Sequence, residues 1–155
     1  MMELQQHNWH KAVALAERAK ELAHRAHAGQ VDKAGRPYIE HVARVAAAVA
    51  DDPIAQAVAW LHDVLEDCPF EFGLELARAF PDEIEGAVLD LTRFECIPEA
   101  DYYAEIRKNP LALRVKLADI ADNADESRLA LLDADTADRL RRKYAAARQA
   151  LTVEE

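Results

Sequence analysis

The sequence predicts an all-α protein, a compact single-domain bundle of about seven or eight helices. Three observations carry that expectation. Apolar residues make up 51% of the 155 residues, and the composition is rich in the helix formers alanine, leucine, glutamate and arginine. Only 4 glycines occur. Apolar side chains recur at three- and four-residue spacing along most of the chain, whereas alternating patterns of strand length are missing. A single domain over residues 1–155 is long enough to bury a core without staples.

Leu4 to His27 reads as a first helix, with Trp9, Val13, Ala16, Ala19, Ala23 and Ala26 at helical spacing and Gly29 ending it. Gly29 to Pro37, with two glycines and a proline, is a loop. Ile39 to Ala50 is a second helix, turning Val42, Val45, Ala46 and Val49 inward and closed by Asp51-Asp52-Pro53. Pro53 suits the first turn of a third helix running through Val58 and Leu61 to Asp67. Phe70 to Phe80 and Pro81 to Leu91 give two more, and Thr92 to Glu99 is irregular. Asp101 to Lys108 is a short helix. Asn109-Pro110 is a cap and first-turn pair for the next, which reaches Asn123. Asp133 to Asp138 starts a last amphipathic helix ending near Leu151.

Charge narrows the partners. Nineteen basic against twenty-nine acidic residues give a net charge of −10, which argues against nucleic acid, whose binding rests on Lys and Arg. A small anionic ligand held by a metal and a few local cations stays open, as does self-association. Cys68 and Cys96 fit no zinc or redox spacing and read as free thiols of a cytosolic protein. Met1 to His10 lacks the apolar core of a signal peptide, and no apolar run approaches the roughly 20 residues that span a bilayer. The expected location is the cytoplasm, away from membranes.

The chemistry concentrates in Leu61-His62-Asp63-Val64-Leu65-Glu66-Asp67. On one continuous helix His62 sits above Glu66, and Asp63 beside Glu66 and Asp67, so an imidazole and three carboxylates converge. That much charge beside a core calls for compensation, and a divalent cation is the usual compensator. Two further segments carry suitable donors: Pro37-Tyr38-Ile39-Glu40-His41 and Val115 to Asn123, where Asp119 and Asn123 share a helix face. Two imidazoles and two carboxylates suit Mn, Fe or Zn.

In this order, Ala26-His27-Ala28-Gly29-Gln30, Lys33-Ala34-Gly35, Pro37 to His41, Leu61 to Asp67, Leu91-Thr92 and Lys116-Leu117-Ala118-Asp119 resemble HD-domain phosphohydrolases. The nearest likeness is to the hydrolase domain of RelA/SpoT-type enzymes and their free-standing relatives. It spans roughly Leu22 to Asn123 and implies an HD-type helical bundle. It also implies manganese-dependent removal of the 3′-pyrophosphate from the alarmone guanosine tetraphosphate, (p)ppGpp, in the stringent response. Carried over residue by residue, it implies His41, His62, Asp63 and Asp119 as metal ligands and Glu66 with Asp67 as the water-activating pair. Asn123, Lys33 and Tyr144 fall at nucleotide-contacting positions. Lys116 and Arg93, with Arg36 in the loop, stand as neutralisers of phosphate charge.

Two departures stand out. The family's Arg-Lys pair reads Asp32-Lys33 here, and an arginine usual after the asparagine is replaced within Ala124-Asp125-Glu126. Each swap puts negative charge where an anion is expected, worth on the order of 1 kcal/mol per close charge. Two alternatives therefore remain: an HD phosphohydrolase for another nucleotide or phosphoester, and a non-catalytic, metal-bound nucleotide-binding module. Plainer readings also stand beside the sharp ones. His7, His10 and His24 read as structural, and His27 as structural or supporting a ligand. Asn123 and Tyr144 serve equally as a helix end and a packing residue.

Overall fold

The structure, a computed structural model, describes residues 1–153. Its described residues form ten helical segments: α1 (Met2–Ala26), α2 (Ile39–Ala48), α3 (Pro53–Leu61), α4 (Val64–Asp67), α5 (Phe70–Ala79), α6 (Asp82–Leu91), α7 (Glu99–Lys108), α8 (Pro110–Asn123), α9 (Glu126–Leu129) and α10 (Ala134–Leu151). The all-α expectation holds. The only extended pairing among these residues is an isolated antiparallel bridge between Val31 and Pro37. None of the helices is long and apolar enough to cross a membrane.

Three of the expected starts carry side-chain caps. Asp52 accepts from the amides of Ile54 (2.9 Å) and Ala55 (3.3 Å) ahead of α3, and Asn109 from Leu111 (3.1 Å) and Ala112 (3.3 Å) ahead of α8. In both, proline fills the first helical position, where no amide hydrogen is needed. Asp133 caps α10 through Thr136.

One expected helix is broken. The third helix stops at Leu61 and restarts at Val64, so Pro53 to Asp67 is not one rod. His62 Nδ1 donates to the Ala59 carbonyl at 2.6 Å, an oxygen that a continuous helix reserves for the amide of residue 63. Asp63 then lies at φ −105°, ψ 0°, the bridge region where turn and active-site residues gather. The break corrects the one-face picture of His62 over Glu66. It turns His62 inward and leaves the acidic pair on a separate turn.

Around the break, α3 is the centre of the bundle. Ala55, Ala57, Val58, Ala59, Trp60 and Leu61 are all buried, and α1, α2, α6 and α8 pack around them. Alanines on α1 and α3 (Ala16, Ala19, Ala23, Ala55, Ala59) remove the bulk that would hold helix axes apart. A smaller cluster of Leu129, Ala137 and Leu140 joins α9 to α10, with Tyr144 touching both cores. The buried polar side chains described are His27, His41, His62, Thr92 and Asp119. Such groups cost several kcal/mol unless satisfied, and three of them, His41, His62 and Asp119, converge on one place.

Candidate metal centre

Three segments deliver the four donors. His41 comes from the first turn of α2, His62 and Asp63 from the break after α3, and Asp119 from the middle of α8. His41 Nε2 lies 3.0 Å from Asp119 Oδ1 and 3.9 Å from Asp63 Oδ2. His62 Nε2 lies 3.0 Å from Asp63 Oδ2 and 3.5 Å from Asp119 Oδ1. The four expected residues are brought together.

The imidazoles are oriented from behind. His41 Nδ1 donates to Asp122 Oδ2 at 2.6 Å, and His62 Nδ1 to the Ala59 carbonyl at 2.6 Å. With Nδ1 occupied as donor, each ring presents Nε2 to the carboxylates. Both Nε2 atoms are buried without a hydrogen-bond partner. Two orphaned nitrogens facing two buried carboxylates are what a divalent cation between them would satisfy. The His41, His62 and Asp63 donor atoms all lie within 4.8 Å of one another, a group able to hold such an ion.

The electrostatics agree. Burial pushes both imidazole pKa values down, but the facing carboxylates push them up by more. Burial would also raise Asp119, yet Lys116 and the two rings hold it well below the ordinary carboxylate range. Lys116 Nζ reaches Asp119 Oδ2 at 2.9 Å and Asn123 Nδ2 reaches Asp119 Oδ1 at 3.0 Å. In this arrangement both expected substrate contacts lie on a donor carboxylate.

A second group, Asp63, Glu66 and Asp67, also has its oxygens within 4.8 Å of one another. Asp63 thus belongs to both. Glu66 Oε1 accepts the Arg93 amide, and the Arg93 guanidinium sits 5.4 Å over the Tyr102 ring. Burial, with the charge of Asp63 behind it, raises the carboxyls of Glu66 and Asp67 above the ordinary range. Tyr144 is half-buried, its hydroxyl raised by burial and then by Asp119. Lys33 and Arg36 stand exposed on the hairpin.

Three supporting residues escaped sequence reading. Asp122 braces His41 while its other oxygen takes Arg44 and Arg128, each at 2.8 Å. Tyr38 donates to Asp63 Oδ2 at 2.6 Å. Gln30 spans from His27 Nδ1 (2.7 Å) to the Asp67 carbonyl (2.6 Å), which makes His27 a support for the acidic turn. Asp122 has a signal in the sequence, its three-residue offset from Asp119 on α8.

The two departures are explained locally. Asp32 Oδ1 accepts the amides of Ala34 and Arg36, both at 2.9 Å, and closes the hairpin over Gly35, whose φ of +82° only glycine adopts easily. Asp125 caps α9 through Ser127. Arg128, three residues on, returns a cation to that region.

Residues 19–149 match the family profile described as HD domain. The chain belongs to the HD domain family. This HD domain is 37% identical over 120 residues to a GTP pyrophosphokinase of Streptomyces coelicolor, covering 69% of this chain. It is 35% identical over 122 residues to a guanosine-3′,5′-bis(diphosphate) 3′-pyrophosphohydrolase of Haemophilus influenzae, again over 69% of this chain. It spans only 14% and 17% of those two proteins. A solved structure reported as a metazoan ortholog of SpoT that hydrolyzes ppGpp superposes with a TM-score of 0.70 at 22% identity, covering 90% of this chain and 86% of that one. At that identity the likeness is one of fold.

The thiols bear a direct test. Cys68 Sγ lies 3.4 Å from His27 Nδ1, and burial followed by the Asp67 charge pushes its pKa up to about 11. Cys96 is exposed. Since only thiolate reacts, titration with Ellman's reagent at pH 8 should show one fast thiol and a second slower by about tenfold or more. Cys96→Ser should remove the fast phase alone. Two equally fast thiols would contradict the burial of Cys68.

Proposed function

We propose that this HD domain is a metal-dependent phosphohydrolase that removes the 3′-pyrophosphate of guanosine tetraphosphate, leaving a guanosine 5′-diphosphate. One observation carries it: the two orphaned buried imidazole nitrogens facing Asp63 and Asp119, with the raised carboxyls of Glu66 and Asp67 on the adjoining turn. The similarity to a 3′-pyrophosphohydrolase supports the substrate. His41, His62, Asp63 and Asp119 would hold the cation, manganese as the family resemblance implies, with Fe or Zn also matching the mixed nitrogen and oxygen set. When bound, a divalent ion supplies Lewis acidity toward a phosphoryl oxygen and acidifies water.

The chain's own groups do the rest. Glu66, held by the Arg93 amide, takes a proton from the attacking water as oxygen bonds to the phosphorus next to the ribose 3′ oxygen. That ester bond breaks, the 3′ oxygen recovers a proton, and pyrophosphate departs. Lys116, with Lys33 and Arg36 from the hairpin, offsets phosphate charge, and Asn123 and Tyr144 face the nucleoside. The two free cysteines fit a cytoplasmic enzyme.

Incubating manganese-loaded protein with guanosine tetraphosphate should release pyrophosphate, and chelation should stop it. A second reading, another nucleotide or phosphoester, is favoured by Asp32 standing where a base is usual. Phosphate release from other nucleotides, with none of either product from the alarmone, would establish it. Asp122→Asn supplies a further check. Losing the carboxylate that braces His41 should weaken manganese affinity about 10–100-fold, measured by calorimetry, while the circular dichroism spectrum stays unchanged. Unaltered affinity would remove Asp122 from the site.

A further inference from the structure

The first half of α1 stands clear of the bundle. Residues 1–11 are all exposed, and α1 meets the core only from Ala16 onward, with Ala12 and Leu15 half-buried between. Along this free stretch Met2, Gln6, Trp9 and Val13 recur at spacings of four, three and four, the a/d rhythm of a coiled-coil seam. Met2 is 76%, Trp9 52% and Val13 38% exposed. The stretch also precedes residues 19–149, where the HD family match lies.

We infer that this seam pairs with the same seam of a second copy, antiparallel, making a weak two-fold dimer. Charge selects both the partner and the direction. Residues 2–13 hold one acid, Glu3, and one base, Lys11, and are therefore neutral within a chain of net charge −10. Another copy can approach this stretch without meeting the acidic surface of the body. Parallel pairing would set two acidic bodies side by side, whereas antiparallel pairing sends them to opposite ends. In the antiparallel register Met2 lies opposite Val13 of the second copy and Gln6 opposite Trp9. Glu3 and His10, both flanking the seam, then face each other, and two-fold symmetry makes that contact twice. The helix is already anchored through its second half, so pairing carries no nucleation cost. The seam is only about 18 Å long, which sets a dissociation constant on the order of 10–100 μM.

Sedimentation of the full chain from about 5 to 500 μM should show a monomer–dimer equilibrium. Trp60 is only 7% exposed, so acrylamide quenching reads Trp9 and should fall as concentration rises. Trp9→Glu should give a folded monomer throughout. His10→Glu should weaken association roughly three- to tenfold, and Glu3→Lys added to it should restore affinity. A monomer at every concentration overturns the inference. So does a dimer that survives Trp9→Glu, or one lost instead with Phe70→Glu in the apolar groove between α5 and α6, and so does failure of the charge swap to restore.

Discussion

Asp119→Ala should empty the proposed metal centre and unsettle the fold together. Asp119 lies close to both imidazole nitrogens, at 3.0 and 3.5 Å, and is also the partner of the half-buried Lys116 ammonium at 2.9 Å. Without the carboxylate, a four-residue donor set becomes three, and manganese content measured by plasma mass spectrometry should fall to background. Turnover of guanosine tetraphosphate should drop by about a thousandfold or more. Lys116 would meanwhile be a half-buried charge with its partner removed, a change that costs about 1–3 kcal/mol once partial solvent access is allowed for. Adding Lys116→Met removes the stranded charge, so urea denaturation should show most of that stability returning. Metal binding and turnover should not return. A double variant as unstable as the single would show that Asp119 supports the fold through something other than Lys116.

Glu66→Gln separates chemistry from metal. The amide keeps an oxygen for the Arg93 amide but cannot take a proton, so kcat should fall about 10²–10⁴-fold with manganese content unchanged. Stability should move the other way. Burial raises the Glu66 carboxyl, so the folded state binds its proton more tightly than the unfolded chain does. Stability from this group is greatest below its unfolded pKa and declines as pH rises through the raised folded value. At neutral pH the ionised Glu66 therefore opposes folding, and the glutamine relieves it. The thermal midpoint should rise at pH 7 and match wild type near pH 4. Full turnover in Glu66→Gln would take the proton from Glu66 and give it to Asp67.

Much of this was legible in the chain because local chemistry agrees with the global fold. Asp52-Pro53 and Asn109-Pro110 announce α3 and α8 by capping chemistry that needs no tertiary contact, and Gly29 does the same for the end of α1. His41, His62, Asp63 and Asp119 were legible as residue types arranged in a recognisable order. What could not be read is what depends on three dimensions. The break after Leu61 arises from one ring nitrogen taking a backbone carbonyl, a contest that periodicity does not register. The α9 turn is too short to have a period. Asp32 and Asp125 read as misplaced charges until the amides they accept are seen. Asp122 was hidden by the ambiguity of a helix, where positions three and four residues from Asp119 share its face and only packing against α2 chooses between them.

Asp63 is the one side chain common to the imidazole group and the carboxylate group, and the break that frees it lies between them. That position makes loss of function asymmetric for descendants of this chain. With the roles proposed above, a single substitution at Glu66 or Asp67 yields a silent receptor that keeps its metal centre, and drift toward such a receptor is one step long. Any change at Asp63 would dismantle both halves at once, so lineages that keep either trait should keep this aspartate.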